Sequence, residues 1–348
     1  MNKNLIALAI AGASLAPAAM AQTANPVTLY GRAYVTLESV EAKGGASPVA
    51  RRNRVEDQSS LLGVRGTEDL GGGLKAFFQL ETAFRLDQNN TTPTSGIAQP
   101  FATRNSGVGL QGGWGSILLG RWDTPYKVAT TAVDPYGDLT ISGITGVLND
   151  GGNFDRRDQN SVQYWSPSWG GFAFRLMATA NEGKTATLNP RDTGANVTFT
   201  RGPVYAFLTW EEHKDSSATL PKEEGTAGGG NFTIGPVKLG AQYQEYKKTA
   251  RTKQKAWMGN LIWTIGNNQI IYQYMNSKDG GTNGTAQPDC DSNSIGYQYN
   301  FSRRTFFIAS YVKVENNDTS SCNFGSNRLA ATAGQDPQGA FLGVRHIF

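Results

Sequence analysis

Beyond its first residues the chain lacks any apolar run of ~18 residues, so a helical membrane protein is excluded. Cysteine and histidine are scarce, two of each. His213 lies in a polar stretch and His346 in an alternating one, which leaves no metal-ligand spacing and no nucleophilic triad. Charge of one sign is missing too: 32 basic residues face 28 acidic ones, a net +4 that is too small and too dispersed for a nucleic-acid partner. Gly71-Gly72-Gly73 is followed by no Lys-Ser/Thr and opens no helical pattern, so it is a turn and not a phosphate cradle. No cofactor and no enzymatic activity are expected. The one enzyme-like pattern, Asp134 with Asp138 as paired carboxylates for glycoside chemistry, requires a soluble fold with a substrate cleft.

What is present points to strands. Gly 42, aromatics at 10 % and charged residues at 17 % suit an all-β protein that keeps one face of each strand wet. Residues 1–21 carry Lys3, an apolar run from Leu5 to Leu15 and the small-x-small end Ala19-Met20-Ala21, the pattern of a cleaved secretory signal, so the mature chain is expected to span 22–348. Between Val27 and Glu38 the odd positions are apolar or small and the even ones are Thr28, Tyr30, Arg32, Tyr34, Thr36 and Glu38. Leu74 to Phe84 and Phe172 to Ala180 repeat this two-residue period. A soluble sandwich would show the same alternation.

The connections discriminate further, because short and long ones alternate. Seven are tight-turn compositions, from Asp69-Leu70-Gly71-Gly72-Gly73 to Ser302-Arg303-Arg304. Eight are longer and polar: 40–57, 86–103, 123–158, 182–192, 213–225, 247–251, 279–291 and 316–338. Together they imply sixteen antiparallel strands with short turns on one rim and long loops on the other. That is the plan of a transmembrane β-barrel, whose closure removes unpaired edges and whose size leaves an aqueous channel. The last strand alternates and stops on Phe348 at the lipid-facing parity, a sign of outer-membrane assembly. The insertion 123–158 has basic residues at both ends and acids in its middle, which suits a loop folded into a charged passage.

Leu29-Tyr30-Gly31-Arg32, the run from Gly63 through Thr67-Glu68-Asp69-Leu70-Gly71-Gly72-Gly73 to Ala76, Leu119-Gly120-Arg121, Asn160-Ser161-Val162-Gln163-Tyr164 and Gly343-Val344-Arg345-His346-Ile347-Phe348 resemble the general porins of Gram-negative bacteria, especially the β-proteobacterial group. The resemblance runs from the first strand to the last. It implies a homotrimer of sixteen-stranded barrels in which the third extracellular loop folds inward and a basic ladder on the wall faces acids on the loop. Arg32 and Arg121 match the family's basic positions, and Asp134 and Asp138 are the corresponding loop acids. Arg65 joins them on parity. Arg121 has the lipid-side parity of Ile117 and Leu119, and a bulge at Gly120 is expected to turn it inward. Two positions depart from the family, Leu61 and Gln159, where basic residues are usual; Arg156 and Arg157 stand just upstream of the second to compensate.

The expected function is therefore an outer-membrane channel for passive diffusion of small hydrophilic solutes and ions, with a mild preference for anions. Its expected partners are a second and third copy, outer-membrane lipid and lipopolysaccharide, and the assembly machinery through Phe348. The alternatives are a substrate-selective channel of the same fold and a secreted β-rich carbohydrate-active or binding protein. Export makes the cysteines readable: Cys290 and Cys322 lie in loops that leave neighbouring hairpins on one rim, and a disulfide between them is expected to stiffen the pore mouth without altering the constriction. The competing reading is two free thiols or an intermolecular link.

Overall fold

The computed structural model describes residues 27–87, 101–137, 139–148, 153–218, 220–248, 253–279 and 289–348; the expected leader 1–21 and Asp138 lie outside them. The first strands are β1 (Thr28–Gly44), β2 (Val49–Asp57), β3 (Leu61–Gly71), β4 (Leu74–Ala83), β5 (Ser106–Gly112) and β6 (Gly115–Asp123). After a long insertion come β7 (Arg157–Trp165), β8 (Phe172–Thr179), β9 (Arg191–Arg201), β10 (Val204–Ser217), β11 (Leu220–Ile234) and β12 (Val237–Lys248). The series ends with β13 (Gln254–Ile265), β14 (Asn268–Asp279), β15 (Cys290–Asn300), β16 (Thr305–Asn316) and β17 (Gln335–Ile347). Neighbours pair antiparallel, and β1 pairs with β17, so the sheet closes on itself.

Seventeen segments make sixteen staves. β2 pairs with the far part of β1, from Val35↔Asp57 to Ala42↔Val49, and β3 with its near part, from Thr28↔Arg65 to Arg32↔Leu61. The two are one stave broken at 58–60, where Ser59 has φ +58 and Asp57 Oδ2 accepts the Ser60 N–H at 2.9 Å. Gln58 turns inward there and donates to Thr36 Oγ1 at 2.7 Å and Glu38 Oε1 at 2.8 Å.

The tight turns fall where glycine permits them. Gly71, Gly72 and Gly73 have φ of +85, +60 and +81, a region a Cβ disfavours, and Asp69 Oδ1 accepts the Gly71 N–H at 2.9 Å. On the opposite rim two expected loops prove to be paired strand: 40–57 continues as a hairpin to Ala42↔Val49, and 213–225 to Ser217↔Leu220. Beyond the bilayer, cross-strand ion pairs support these extensions, Arg51 with Glu41 at 2.8 Å and Lys222 with Glu212 at 2.6 Å. His213 is accordingly in β10 and buried, with its ring stacked on Phe154 at 4.8 Å between centroids.

Outward positions carry exposed apolar side chains, among them Leu119, Val197, Leu208 and Ile295, a surface suited to lipid and not to water. Closure is finished by Phe348, whose backbone exchanges hydrogen bonds with Gly31 at 3.0 and 3.1 Å while its ring occupies the space a Gly31 Cβ would need.

Candidate pore constriction

The insertion after β6 leaves the wall as a short helix. Thr124 Oγ1 accepts the Lys127 N–H at 3.2 Å, and Pro125 takes a first-turn position that needs no N–H, so α1 runs Pro125–Thr131. Thr124-Pro125 is the sequence signal for this helix, and one that a search for alternation passes over.

Inward-facing side chains of β9, β10, β11 and β13 then hold the segment against the inner wall. Asn196 of β9 donates to the Pro125 carbonyl at 2.7 Å, Tyr205 of β10 to Ala129 at 3.3 Å, Asn231 of β11 to Ala132 at 3.0 Å and Asn260 of β13 to Val133 at 2.9 Å. Further on, Tyr136 Oη and Ser142 Oγ each lie 3.1 Å from Ser310 Oγ on β16. Polar side chains on the wall thus donate hydrogen bonds to carbonyls of α1 and of the segment beyond it. Beneath these bonds Tyr126, Val133, Ile141, Ile144, Leu148 and Phe154 pack on Phe207, Met258, Ile271, Ile308 and Val312. The core of the molecule is therefore inside the barrel, between this segment and β10 to β17.

A second inward segment locks the first. In 317–334, Asn323 N–H donates to Gly146 O at 3.3 Å, Gly325 N–H to Ile141 O at 3.2 Å and Ser326 N–H to Thr140 O at 3.2 Å. Cys322 is bonded to Cys290 at 1.95 Å, and Phe324, two residues on, is fully buried in the shared core. The Cys290–Cys322 disulfide is thus present in the structure, and 317–334, which it anchors, also packs on the constriction loop.

Charged groups gather where the ends of the insertion meet β4 to β7. Arg104 Nε pairs with Glu81 at 2.7 Å, and Arg157 Nε with Asp123 at 3.0 Å. Asn105 ties the second pair together, donating to Asp123 Oδ2 at 2.7 Å and accepting from Arg157 Nε at 3.0 Å. Lys127 on α1 reaches Asp155 at 2.7 Å. Arg32 donates to Ser59 O at 2.6 Å and feels the positive charges of both Arg104 and Arg345. Among the described residues four arginines and one lysine thus stand with three carboxylates, a surplus of two positive charges.

Of the residues singled out from sequence, Arg32 and Arg157 belong to this cluster. Arg65 faces the lumen on the short-turn side of it, its Cζ 4.9 Å from the Tyr30 ring centroid. Arg121 does not turn inward: it pairs with Ser106 and keeps the parity of Leu119, because the residue that absorbs the register shift between Gly120 and Trp122 is on β7, where Asn160 has φ +53. Arg156 is outside this cluster and pairs with Asp158 at 2.6 Å and Asp192 at 2.9 Å. Asp134 folds the loop, Oδ1 accepting the Tyr136 N–H at 2.9 Å and Oδ2 the Ile144 N–H at 3.2 Å, and among the described residues no ion pair joins it to Arg32, Arg65 or Arg121. Glu81, Arg104, Asp123, Lys127 and Asp155 were not among the sequence candidates. Glu81 has the inward parity of its strand, and Asp123 and Asp155 mark the ends of the insertion, where the segment crosses the lumen.

A family model described as Gram-negative porin matches residues 6–319. The sequence is 29 % identical to outer membrane porin protein 32 of Delftia acidovorans and 27 % identical to major outer membrane protein P.IB of Neisseria sicca, each alignment covering 100 % of both chains. Among solved structures the fold is similar to the anion-selective porin from Comamonas acidovorans, with a TM-score of 0.80, 26 % identity, and coverage of 93 % of this chain and 100 % of that one.

Proposed function

The chain belongs to the Gram-negative porin family, and from that premise we propose that it is a mildly anion-preferring diffusion channel working as a homotrimer. That it is an outer-membrane channel for passive diffusion and not an enzyme follows from the family; the secreted carbohydrate-active alternative is thereby set aside. The preference for anions rests on one observation, the two-charge basic surplus that Arg32, Arg104, Arg157, Arg345 and Lys127 hold over Glu81, Asp123 and Asp155 among the described residues. Charged side chains in an aqueous gap bias ion entry without stripping hydration shells, so discrimination is purely electrostatic and fades with salt.

The trimer reading is supported by the outer wall. From β12 to β16 it carries Tyr243, Trp257, Trp263, Tyr272, Tyr297 and Tyr311, the aromatic belts of a lipid-facing surface. The outward positions of β1, β3, β4 and β5 among the described residues carry Leu29, Leu37, Leu62, Leu80, Val108 and Leu110, with neither Trp nor Tyr. A sector without a belt suits contact with other copies of the chain, while lipid and lipopolysaccharide cover the belted one. Phe348, partly exposed on the outer face, is the group offered to the assembly machinery. Reversal potentials across a planar bilayer under a KCl gradient test the reading. The expected sign favours chloride, more strongly at low salt, and a preference for potassium would overturn it. Cross-linking in native membranes should yield trimers.

A further inference from the structure

We propose that the lumen wall between the constriction and the short-turn rim is a binding subsite for aryl carboxylate anions; the proposal rests on the pore reading and names a solute class for it. Two inner cavities, of about 420 and about 550 Å³, share Gln111, Ser116 and Trp165 and so form one groove. Each is of the size that holds a small organic ligand.

The groove is unusual for an aqueous passage because rings tile it. Trp122 and Trp165 lie 5.4 Å apart between centroids, and Phe77 lies 6.4 Å from Trp165. Room for the outer rings comes from missing side chains opposite them: a Cβ on Gly63 would sit 2.3 Å from Tyr30 Cζ, and one on Gly109 2.5 Å from Phe77 Cζ. Partly exposed aromatic faces contribute nothing to the passage of hydrated inorganic ions, which polar side chains would serve better. They do suit a flat, apolar solute face, with which indole stacks.

Two guanidinium groups flank the rings. Arg65 stands over Tyr30 and Arg175 over Trp165, each with Cζ 4.9 Å from the ring centroid. Arg104 and Arg157 each have a carboxylate partner, whereas Arg65 and Arg175 make no ion pair among the described residues. A carboxylate is the planar acceptor that matches a guanidinium fork. Gln79 and Gln111 complete the groove with amide groups. A solute with one aromatic face and one carboxylate satisfies both features; an aliphatic acid satisfies only the arginines, and a neutral arene only the rings.

The test uses the full-length protein in planar bilayers, with benzoate or cyclohexanecarboxylate added on the short-turn side while chloride current is recorded. The two acids have the same charge and similar bulk, and differ in the π face. Benzoate is expected to halve the current at a concentration about fivefold below that of cyclohexanecarboxylate, the size of one added stacking contact. Trp165→Leu should abolish that difference, and Arg175→Gln should weaken block by both acids. Equal block by the two acids in the unmodified channel, or a benzoate preference that survives Trp165→Leu, would overturn the subsite while the chloride current leaves the pore reading standing. Absence of chloride current would instead defeat the pore reading and this inference with it. The comparison in the unmodified protein needs no variant to fold.

Discussion

Replacing Arg104 and Arg157 together by glutamine should remove the anion preference, and the structure sets the size of the effect. Each guanidinium neutralises a carboxylate, Glu81 or Asp123, so among the described residues the double variant takes the cluster from a surplus of two positive charges to none. A unit charge ~6 Å from a passing ion in a water-like medium contributes about 0.7 kcal/mol. Screening at 0.1 M, with a Debye length of ~10 Å, leaves about 0.4 kcal/mol per charge. Two charges act on anion and cation in opposite senses, so the permeability ratio should fall by about 1.6 kcal/mol, roughly fifteenfold. At 1 M the Debye length is ~3 Å and the same geometry predicts a change of only about twofold. Reversal potentials at the two salt concentrations provide the assay. An unchanged ratio at 0.1 M would show that these arginines do not set the field in the pore. A change of equal size at both concentrations would show that the variant acts by shape and not by charge.

Three other outcomes are expected. Reducing the Cys290–Cys322 bond, which spans 32 residues, should loosen 317–334 and through it the constriction loop; the chain-entropy model gives at most about 3–4 kcal/mol, less where the barrel already restrains the loop ends. Open-channel noise and the thermal unfolding midpoint should both change, and quiet, unshifted channels after reduction would disconnect the bond from the pore. Asp134→Ala removes a carboxylate that accepts two backbone N–H groups, costing about 3 kcal/mol of loop order; it should raise current noise while leaving the ion preference alone, and a gain in anion preference would return Asp134 to the pore lining. On the long-loop rim, Arg51 and then Gln338 hold the Glu41 carboxyl down to about 2 from its ordinary 4.5. Its contribution to the β1–β2 hairpin is therefore fully present above about pH 4.5 and lost as pH falls through about 2. Amide exchange in that hairpin should stay slow at pH 3.5 and quicken near 2, and Glu41→Gln should remove the step.

Much of the architecture was legible without coordinates. The two-residue period on β1 and β4, the seven tight turns and the eight polar connections sufficed for a closed barrel of sixteen staves, because a strand's parity and a turn's glycines are local properties. Arg32 and Arg65 face the lumen for the same reason, and the cysteine pairing followed from which hairpins are neighbours. Tertiary structure decided the rest. Whether 40–57 is loop or hairpin depends on cross-strand pairs such as Arg51 with Glu41, which composition does not reveal. Arg121 keeps its outward parity because the register shift was absorbed on β7, a choice made between two strands and written in neither alone. The acids at the ends of the insertion, Asp123 and Asp155, meet Arg157 and Lys127 in the lumen, while the acid in its middle, Asp134, turns back on its own backbone. A non-repetitive segment has no period from which to read direction; each carboxylate goes to whichever N–H, ammonium or guanidinium the completed fold brings within about 3 Å, and that is settled only once the segment lies against the wall.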